Sequence, residues 1–263
     1  MNRTQFPYYI QTAHDALDKE RHRTAAEQQA FAQFHGQLTT IDPDQAQTDG
    51  SLTASTTVRT LFGAETKTNG SASEQIRTSY RETVMAVPHY SDEYDESLAE
   101  NMSAEFGPDL ATPVIENDPV TPQLRDGLLN ISHHVHKSRA QLVAAIDQEA
   151  ASLTTAAETL TDIERTLYQL TPPDLESESF DDLYEKRRTL LEFEERCETL
   201  AQERQRELHD RDPLDLRATE AVIQEYLYQS LSITYPVLAD VTDLVEDLRQ
   251  VRQRVDRGLM ITS

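Results

Sequence analysis

The longest regular pattern in the chain is a run of apolar residues, four and three positions apart, between Pro122 and Leu170. Such spacing aligns side chains along one face of an α-helix, which turns once every 3.6 residues. Thr121 is a suitable N-cap, Pro122 suits the first helical position, and the Pro172-Pro173 pair ends the run. One helix from 122 to 170 is therefore predicted, with a seam of Leu124, Leu128, Ile131, Val135, Leu142, Ile146, Leu153, Leu160, Ile163, Leu167 and Leu170.

Two later runs supply packing partners for this helix. The last run covers 214–258, and Pro236 inside it predicts a kink. The predicted 122–170 helix would measure about 70 Å and needs partners along its whole seam. Short turns between the runs predict antiparallel neighbours, so we expect an all-α fold containing a long antiparallel helical bundle or coiled coil. The middle run covers 179–210, with a seam of Leu183, Leu190, Phe193, Cys197 and Leu200.

The N-terminal part of the chain predicts a weaker amphipathic helix over residues 8–38. Its two ends are apolar, but the middle of its seam is polar. A helix of this kind packs most firmly at its two ends. The apolar seam positions are Ile10, Ala13, Leu17, Phe31, Phe34 and Leu38, and the polar ones are Glu20, Thr24 and Glu27.

The segments between these helices are shorter and richer in turn-forming residues. Residues 73–107 predict short helices with a hinge at Pro88, and the proline-rich stretch 109–120 predicts an extended connector. The apolar patch Val58–Phe62 in the preceding linker is either a short docking segment or part of a loop. The expected organisation is an N-terminal helix over 1–40, a flexible linker over 41–72 and a helical bundle domain over 73–263.

Composition indicates the habitat of the protein. The 263 residues carry a formal net charge of -23, and most basic residues are Arg. Salt at 1 M shortens the Debye length to about 3 Å, so brine screens the self-repulsion of such a chain. The profile is typical of a salt-saturated cytoplasm, with an ordinary acidic mesophilic protein as the alternative. The acidity also makes nucleic acid an improbable partner.

Other sequence features favour a cytoplasmic location. The single cysteine, Cys197, excludes an intramolecular disulfide. The first ten residues lack the apolar core of a signal peptide, and no apolar run approaches the length of a membrane span. We therefore expect a cytoplasmic protein without a membrane partner.

Three charged or titratable clusters are candidates for chemistry, each with a plainer alternative. His133 and His136 share a helical face and are candidate metal ligands or a pH-sensitive contact, although such pairs are usually solvated or packed. The segment 192–198 holds four glutamates, which resemble carboxylate ligands but fit a solvated face better. The basic face of the last helix suits nucleic acid or pairing with acidic neighbours, through Arg249, Arg252, Arg254 and Arg257.

Recognised catalytic motifs are missing from the sequence. It contains no Gly-rich phosphate loop, no His-Glu-x-x-His, no Cys-x-x-Cys and no Gly-x-Ser-x-Gly. The sequence therefore predicts no catalytic residue and no cofactor, and it favours a protein that is not an enzyme.

The hinge around Pro88 is the least ordinary stretch of the chain. Tyr80, His89, Tyr90 and Tyr94 surround it with aromatic and titratable groups. They are candidates for an interaction surface or a small-ligand cleft. The alternative is that they only cover the end of the bundle.

The same stretch carries a family resemblance. The run Tyr80–Tyr90, the Glu93-Tyr94 pair that follows it, and the segments Tyr226–Tyr228 and Tyr235–Leu238 resemble a family of uncharacterised haloarchaeal proteins. The similarity spans residues 73 to about 245. It implies a helical, cytoplasmic haloarchaeal protein. No activity or site residue is established for the family, so none is transferred.

Together these observations favour a non-enzymatic interaction or regulatory protein, acting as a homo-oligomer or with another protein. The alternatives are a ligand- or metal-responsive sensor, and a nucleic-acid-binding regulator. The sensor would use His133 and His136 or the hinge, and the regulator would use the basic face of the last helix.

Overall fold

The computed structural model describes residues 6–44, 71–172, 178–210 and 221–262, and every regular element within these ranges is helical. The predicted all-α class is therefore confirmed. A short 3₁₀ turn at Val84–Ala86 follows the second helix. The helices are α1 (Tyr8–Thr40), α2 (Ala72–Thr83), α3 (Tyr90–Glu93), α4 (Leu98–Phe106), α5 (Pro108–Ile115), α6 (Pro122–Leu170), α7 (Phe180–Asp210), α8 (Ala221–Tyr228) and α9 (Pro236–Thr262).

Helix α6 has the bounds expected from its sequence and spans 49 residues. The Thr121 hydroxyl caps its start by accepting a hydrogen bond from the Leu124 backbone N–H at 3.1 Å. Every predicted seam residue is buried or partly buried. Two steps of the four-three pattern carry charged residues instead, namely Arg139 and Glu149. Each of these two residues forms an ion pair with a residue of another helix, Arg139 with Glu27 and Glu149 with Arg204.

Two expectations about the other elements were wrong. Residues 108–115 form α5 instead of an extended connector, because Pro108 occupies a first helical position, where no N–H is needed. The run expected as one kinked helix over 214–258 is divided, in its described part, into α8 and α9, since Pro236 begins α9 rather than lying inside a helix. Residues 214–220 of this run lie outside the described residues. Proline lacks the N–H that an internal position requires and disfavours helical geometry in the residue before it.

The chain forms two compact units, and α1 and α6 contribute residues to both. Unit 1 comprises residues 1–22 and 142–263, and unit 2 comprises residues 23–141. The domain boundaries expected from the sequence stay a prediction. Residues 45–70 of the expected linker, including the Val58–Phe62 patch, lie outside the described residues.

Unit 1 is held by antiparallel packing of long helices. Arg196 on α7 bonds Asp162 on α6 at 3.3 Å, and Arg187 on α7 bonds Asp256 on α9 at 2.9 Å. The start of α1 is fixed by the buried Asp240 of α9. Its carboxylate accepts backbone hydrogen bonds from Tyr9 at 3.2 Å and Ile10 at 2.8 Å. The core below these contacts contains Leu17, Ile146, Leu153, Leu160, Ile163, Leu183, Leu190, Cys197, Leu244, Leu248 and Val255.

Unit 2 has a separate, more aromatic core. The Phe34 ring packs edge-to-face on Tyr80 and Phe106, with ring centroids 5.1 and 5.8 Å away. Helices α2, α4 and α5 close this core around the later part of α1 and the first part of α6. The other buried members include Phe31, Leu38, Ile76, Met102, Ala111, Val114, Val120, Leu124, Leu128 and Val135.

Candidate functional site

Tyr80 belongs to the core of unit 2. Its ring is fully buried, and its hydroxyl donates a 2.6 Å hydrogen bond to the Asn101 side-chain oxygen. Burial raises the pKa of Tyr80 far above its ordinary value. In this conformation the predicted hinge residue is therefore a packing residue with a satisfied hydroxyl.

His89, Tyr90 and Tyr94, the other three hinge residues, lie together around α3. The rings of Tyr90 and Tyr94 have centroids 5.6 Å apart, and those of His89 and Tyr94 are 6.5 Å apart. The Tyr90 hydroxyl donates to the backbone oxygen of Glu96 at 3.1 Å. His89 and Tyr94 instead reach across to Glu27 on α1.

Glu27 joins these hinge groups to α6. Its Oε1 atom lies 3.1 Å from His89 Nε2 and accepts a 2.8 Å hydrogen bond from the Tyr94 hydroxyl. Its Oε2 atom accepts from Arg139 Nε at 3.2 Å. The second arm of Arg139 donates to Glu105 at 3.0 Å, so one guanidinium holds two carboxylates. We call this group, together with Glu93 and Arg23, the Glu27 cluster.

Burial and charge both shape the Glu27 cluster. Burial is the main cause that raises the pKa of Glu105, although Arg139 opposes it. Burial and the neighbouring Glu27 carboxylate raise the pKa of Tyr94, so its hydroxyl stays a hydrogen-bond donor. The Arg139 guanidinium also lies 5.4 Å from the centroid of the Phe31 ring, where cation–π attraction adds to the ion pairs.

Three side chains of the Glu27 cluster carry atoms that suit metal ligation. Glu27, His89 and Glu93 each offer one ligand atom, and these atoms lie within 4.8 Å of one another. Glu93 is also ion-paired with Arg23. The side chains of Glu27, His89 and Glu93 are 16%, 11% and 25% exposed, so small ions in solvent can reach them.

His133 and His136 are not brought into such a group within the described part of the chain. His133 is exposed, with its ring centroid 5.8 Å from that of His35. His136 Nδ1 lies 3.1 Å from the backbone oxygen of Gln28. The structure therefore directs the two histidines to different neighbours.

An ion pair joins the two other clusters singled out in the sequence, which are the glutamates of segment 192–198 and the basic face of α9. Arg252 on the basic face of α9 donates to Glu194 on α7 at 2.6 Å. Arg252 also lies 3.7 Å from Asp256. Pairing with acidic neighbours thus accounts for this arginine and this glutamate.

Sequence reasoning named Glu27 only as a polar seam residue and did not identify Arg139 or Glu105. A usable signal was present, because Glu27 and Arg139 each occupy a position where the surrounding pattern calls for an apolar residue. Polar groups at such positions must find a partner when the helices pack. That signal did not reveal which partner they find.

Unit 1 contains a second charged cluster of a different kind. Arg204 on α7 donates to Glu149 on α6 at 2.5 Å, and Tyr228 on α8 donates to the same glutamate oxygen. Arg204 also bonds the Ser152 hydroxyl at 2.9 Å. The side chains of Arg204 and Glu149 are 4% and 0% exposed. We call this enclosed group the Glu149 cluster.

Unit 1 also presents apolar side chains at one end. The Arg187–Asp256 pair places the start of α7 beside the end of α9. Phe180 and Tyr184 at that end have stacked rings with centroids 6.4 Å apart. We call the following exposed residues the apolar tip: Phe180 (45%), Tyr184 (54%), Met260 (79%) and Ile261 (75%).

A family model described as a domain of unknown function (DUF7260) matches residues 8–252. This match covers most of the chain, including both charged clusters. No curated protein and no solved structure matches the chain. Within the described residues, every helix is too short or too polar to span a bilayer.

Proposed function

We propose that this chain, which belongs to the DUF7260 family of unknown function, is a non-enzymatic interaction protein that pairs with a second copy of itself. The observation that supports this proposal is the apolar tip. Four large apolar side chains at one end of unit 1 are between 45% and 79% exposed. Aromatic residues on an exposed apolar patch are typical anchors of protein interfaces.

A second copy is the partner we favour, because the exposed surface of α7 beside the tip carries both signs of charge. Arg188 pairs with Glu185 at 2.9 Å, and both side chains are more than 60% exposed. When two copies meet about a two-fold axis, each patch faces the same patch of its partner. Arg188 of one copy would then meet Glu185 of the other, beside the paired apolar residues.

The proposal includes a halophilic, cytoplasmic setting. Two chains of formal charge -23 repel each other in dilute buffer. In molar salt the Debye length is about 3 Å, so this repulsion is screened while the apolar contact persists. Pairing should therefore strengthen as KCl is raised, and helicity should fall as KCl is diluted.

Light scattering after size exclusion in molar KCl tests the pairing. The wild-type chain should have twice its 29.9 kDa mass. The double variant Tyr184→Glu/Ile261→Glu should be a monomer, because charge at the tip opposes burial. Tyr235→Glu is the matched control, since Tyr235 is an exposed tyrosine of unit 1 that directly precedes α9, at the opposite end of that helix from Met260 and Ile261. A monomeric wild type, or a tip variant that still pairs, would contradict the proposal.

Circular dichroism tests the salt dependence separately. The helical signal of the wild-type chain should decline as KCl is lowered from molar to millimolar. An unchanged signal would contradict the proposed halophilic setting. Pairing through the apolar tip would still be tested by light scattering.

A further inference from the structure

We infer that Glu27, His89 and Glu93 form a binding site for a divalent transition-metal ion of the zinc class. The site lies in unit 2, so this inference is independent of pairing through the tip. It rests on the convergence of one imidazole and two carboxylates from α1 and the α3 region.

One pair of the three donors already has the spacing found around a bound ion. Ligand atoms about 2.1 Å from zinc lie about 3.0–3.5 Å from one another. His89 Nε2 and Glu27 Oε1 already lie 3.1 Å apart, and all three donor atoms fall within 4.8 Å. Glu93 is at the end of α3, a helix of four residues, so a short segment brings in the last donor.

The donor types select the class of ion. Neutral imidazole favours zinc and its transition-metal neighbours, whereas magnesium and calcium prefer all-oxygen surroundings. Three protein ligands leave positions for water, so the arrangement resembles an open site more than a closed structural one. We therefore expect zinc to bind in preference to magnesium.

The charge of the Glu27 cluster also favours a cation. It contains three carboxylates, on Glu27, Glu93 and Glu105, and two guanidinium groups, on Arg23 and Arg139. These five carboxylate and guanidinium groups therefore sum to a net charge of minus one. A divalent ion reverses this excess and replaces the Arg23 contact to Glu93.

The remaining residues position the central ligand. Tyr94 donates to Glu27 Oε1 at 2.8 Å, and Arg139 Nε donates to Oε2 at 3.2 Å. Contacts of this kind fix the direction of a ligand carboxylate. Tyr94 and Arg139 are thus positioning residues, whereas Arg23 competes with the ion for Glu93.

Calorimetric titration of the chelator-treated full-length chain with zinc chloride tests the inference. We expect one zinc per chain and no competition from an excess of magnesium. His89→Gln keeps a polar group beside Glu27 but lacks the imidazole donor. It should weaken zinc affinity at least as much as loss of an outer contact does, by about 100-fold or more.

A second variant predicts the opposite change. Arg23→Gln removes the cation that competes for Glu93, so zinc should bind more tightly than to the wild type. This variant keeps the inference testable if His89→Gln fails to fold, which circular dichroism will show.

Two controls separate this site from other histidines. His134→Ala removes an exposed histidine of unit 2 and should leave zinc affinity unchanged. His133→Ala/His136→Ala should also bind zinc like the wild type. No saturable binding to the wild type would overturn the inference. So would wild-type affinity in His89→Gln, or loss of binding only in the His133/His136 variant.

The same samples distinguish this inference from the proposed pairing. The tip variant Tyr184→Glu/Ile261→Glu should bind zinc normally although it is a monomer. If pairing is lost while zinc still binds, the metal-site inference holds. If zinc binding is lost while the chains still pair, the pairing proposal holds.

Discussion

The Glu27 cluster and the Glu149 cluster each pair a charged residue of α6 with another helix, but they differ in their exposure to solvent. Each fills one gap in the apolar seam of α6, where Arg139 or Glu149 replaces an apolar residue. Arg139 meets Glu27 of α1, and Glu149 meets Arg204 of α7. In both cases a charged residue on the seam of one helix faces an opposite charge on the seam of another.

The two clusters differ in the exposed fraction of their charged side chains. In the Glu149 cluster the pair is at most 4% exposed, and Tyr228 and Ser152 complete its hydrogen bonds. In the Glu27 cluster the pair is 16–23% exposed, and its glutamate also contacts His89, which directly precedes the short helix α3. Breaking the enclosed cluster leaves a buried charge unpaired, whereas the open cluster, with an imidazole and carboxylates that solvent can reach, is suited to binding.

The largest effect is expected from breaking the enclosed pair. Arg204→Met leaves the Glu149 carboxylate buried without its cation and should lower the free energy of unfolding by about 3–5 kcal/mol. Denaturant unfolding in molar KCl measures this loss. Arg206→Met, at an exposed position on the same helix, is the control and should change stability little. Equal losses in the two variants would contradict the assigned role of Arg204.

A smaller loss of stability is expected when the Glu27 cluster is broken. Arg139→Met removes the guanidinium that holds Glu27 and Glu105, but partial exposure lets water solvate both carboxylates. The loss should be about 1.5–3 kcal/mol, the usual range for hydrogen bonds to charged groups. A loss larger than that of Arg204→Met, under the same unfolding conditions, would reverse the comparison.

Replacing both partners of the enclosed pair should restore most of the lost stability. Glu149→Met/Arg204→Met leaves no buried charge, and its net change should be within about 1 kcal/mol of zero. The unfolding curve should therefore lie closer to the wild type than that of Arg204→Met. A double variant less stable than Arg204→Met would show that the pair itself stabilises the fold.

The smallest expected effect is a pH dependence in the open cluster. Burial raises the folded-state pKa of Glu105, while Arg139 opposes and Glu27 and Glu96 reinforce the rise. The folded chain then binds more protons than the unfolded chain between the ordinary value of 4.5 and the raised value. The contribution of Glu105 to stability should therefore fall as pH rises through this window.

Unfolding curves at several pH values test whether the contribution of Glu105 to stability falls as pH rises. The stability of Glu105→Gln relative to the wild type should increase as pH rises from 4.5 upward. Glu100→Gln provides a control of opposite sign below pH 4.5, because hydrogen bonds from Ser97 lower the folded-state pKa of Glu100. The stability of this variant relative to the wild type should therefore decrease as pH rises towards 4.5. A parallel pH dependence in the two variants would contradict this assignment.

The sequence predicted the long helices well because their signals are local. Thr121, Pro122 and the Pro172-Pro173 pair mark the ends of α6, and its seam is regular between them. Helix α5 was missed because its prolines suggested an extended chain. In the fold, Ala111 and Val114 of this short helix are buried in unit 2, and packing outweighs the effect of Pro113.

The Glu27 cluster was only partly predictable, since its contacts are distant in sequence. His89 was singled out as a hinge residue, but its partner Glu27 lies 62 positions away. Arg139 lies 112 positions from Glu27. Local periodicity shows that these seam positions are polar, but only the packing of α1, α3 and α6 shows that they meet.

Thermal unfolding in molar KCl with and without zinc tests the contrast between the clusters most directly. His89→Gln should unfold near the wild-type temperature without zinc and should lose the stabilisation that zinc gives the wild type. Arg204→Met should unfold at a lower temperature but keep that stabilisation. Full zinc stabilisation of His89→Gln, or its loss in folded Arg204→Met, would contradict the separation of a binding cluster from a structural one.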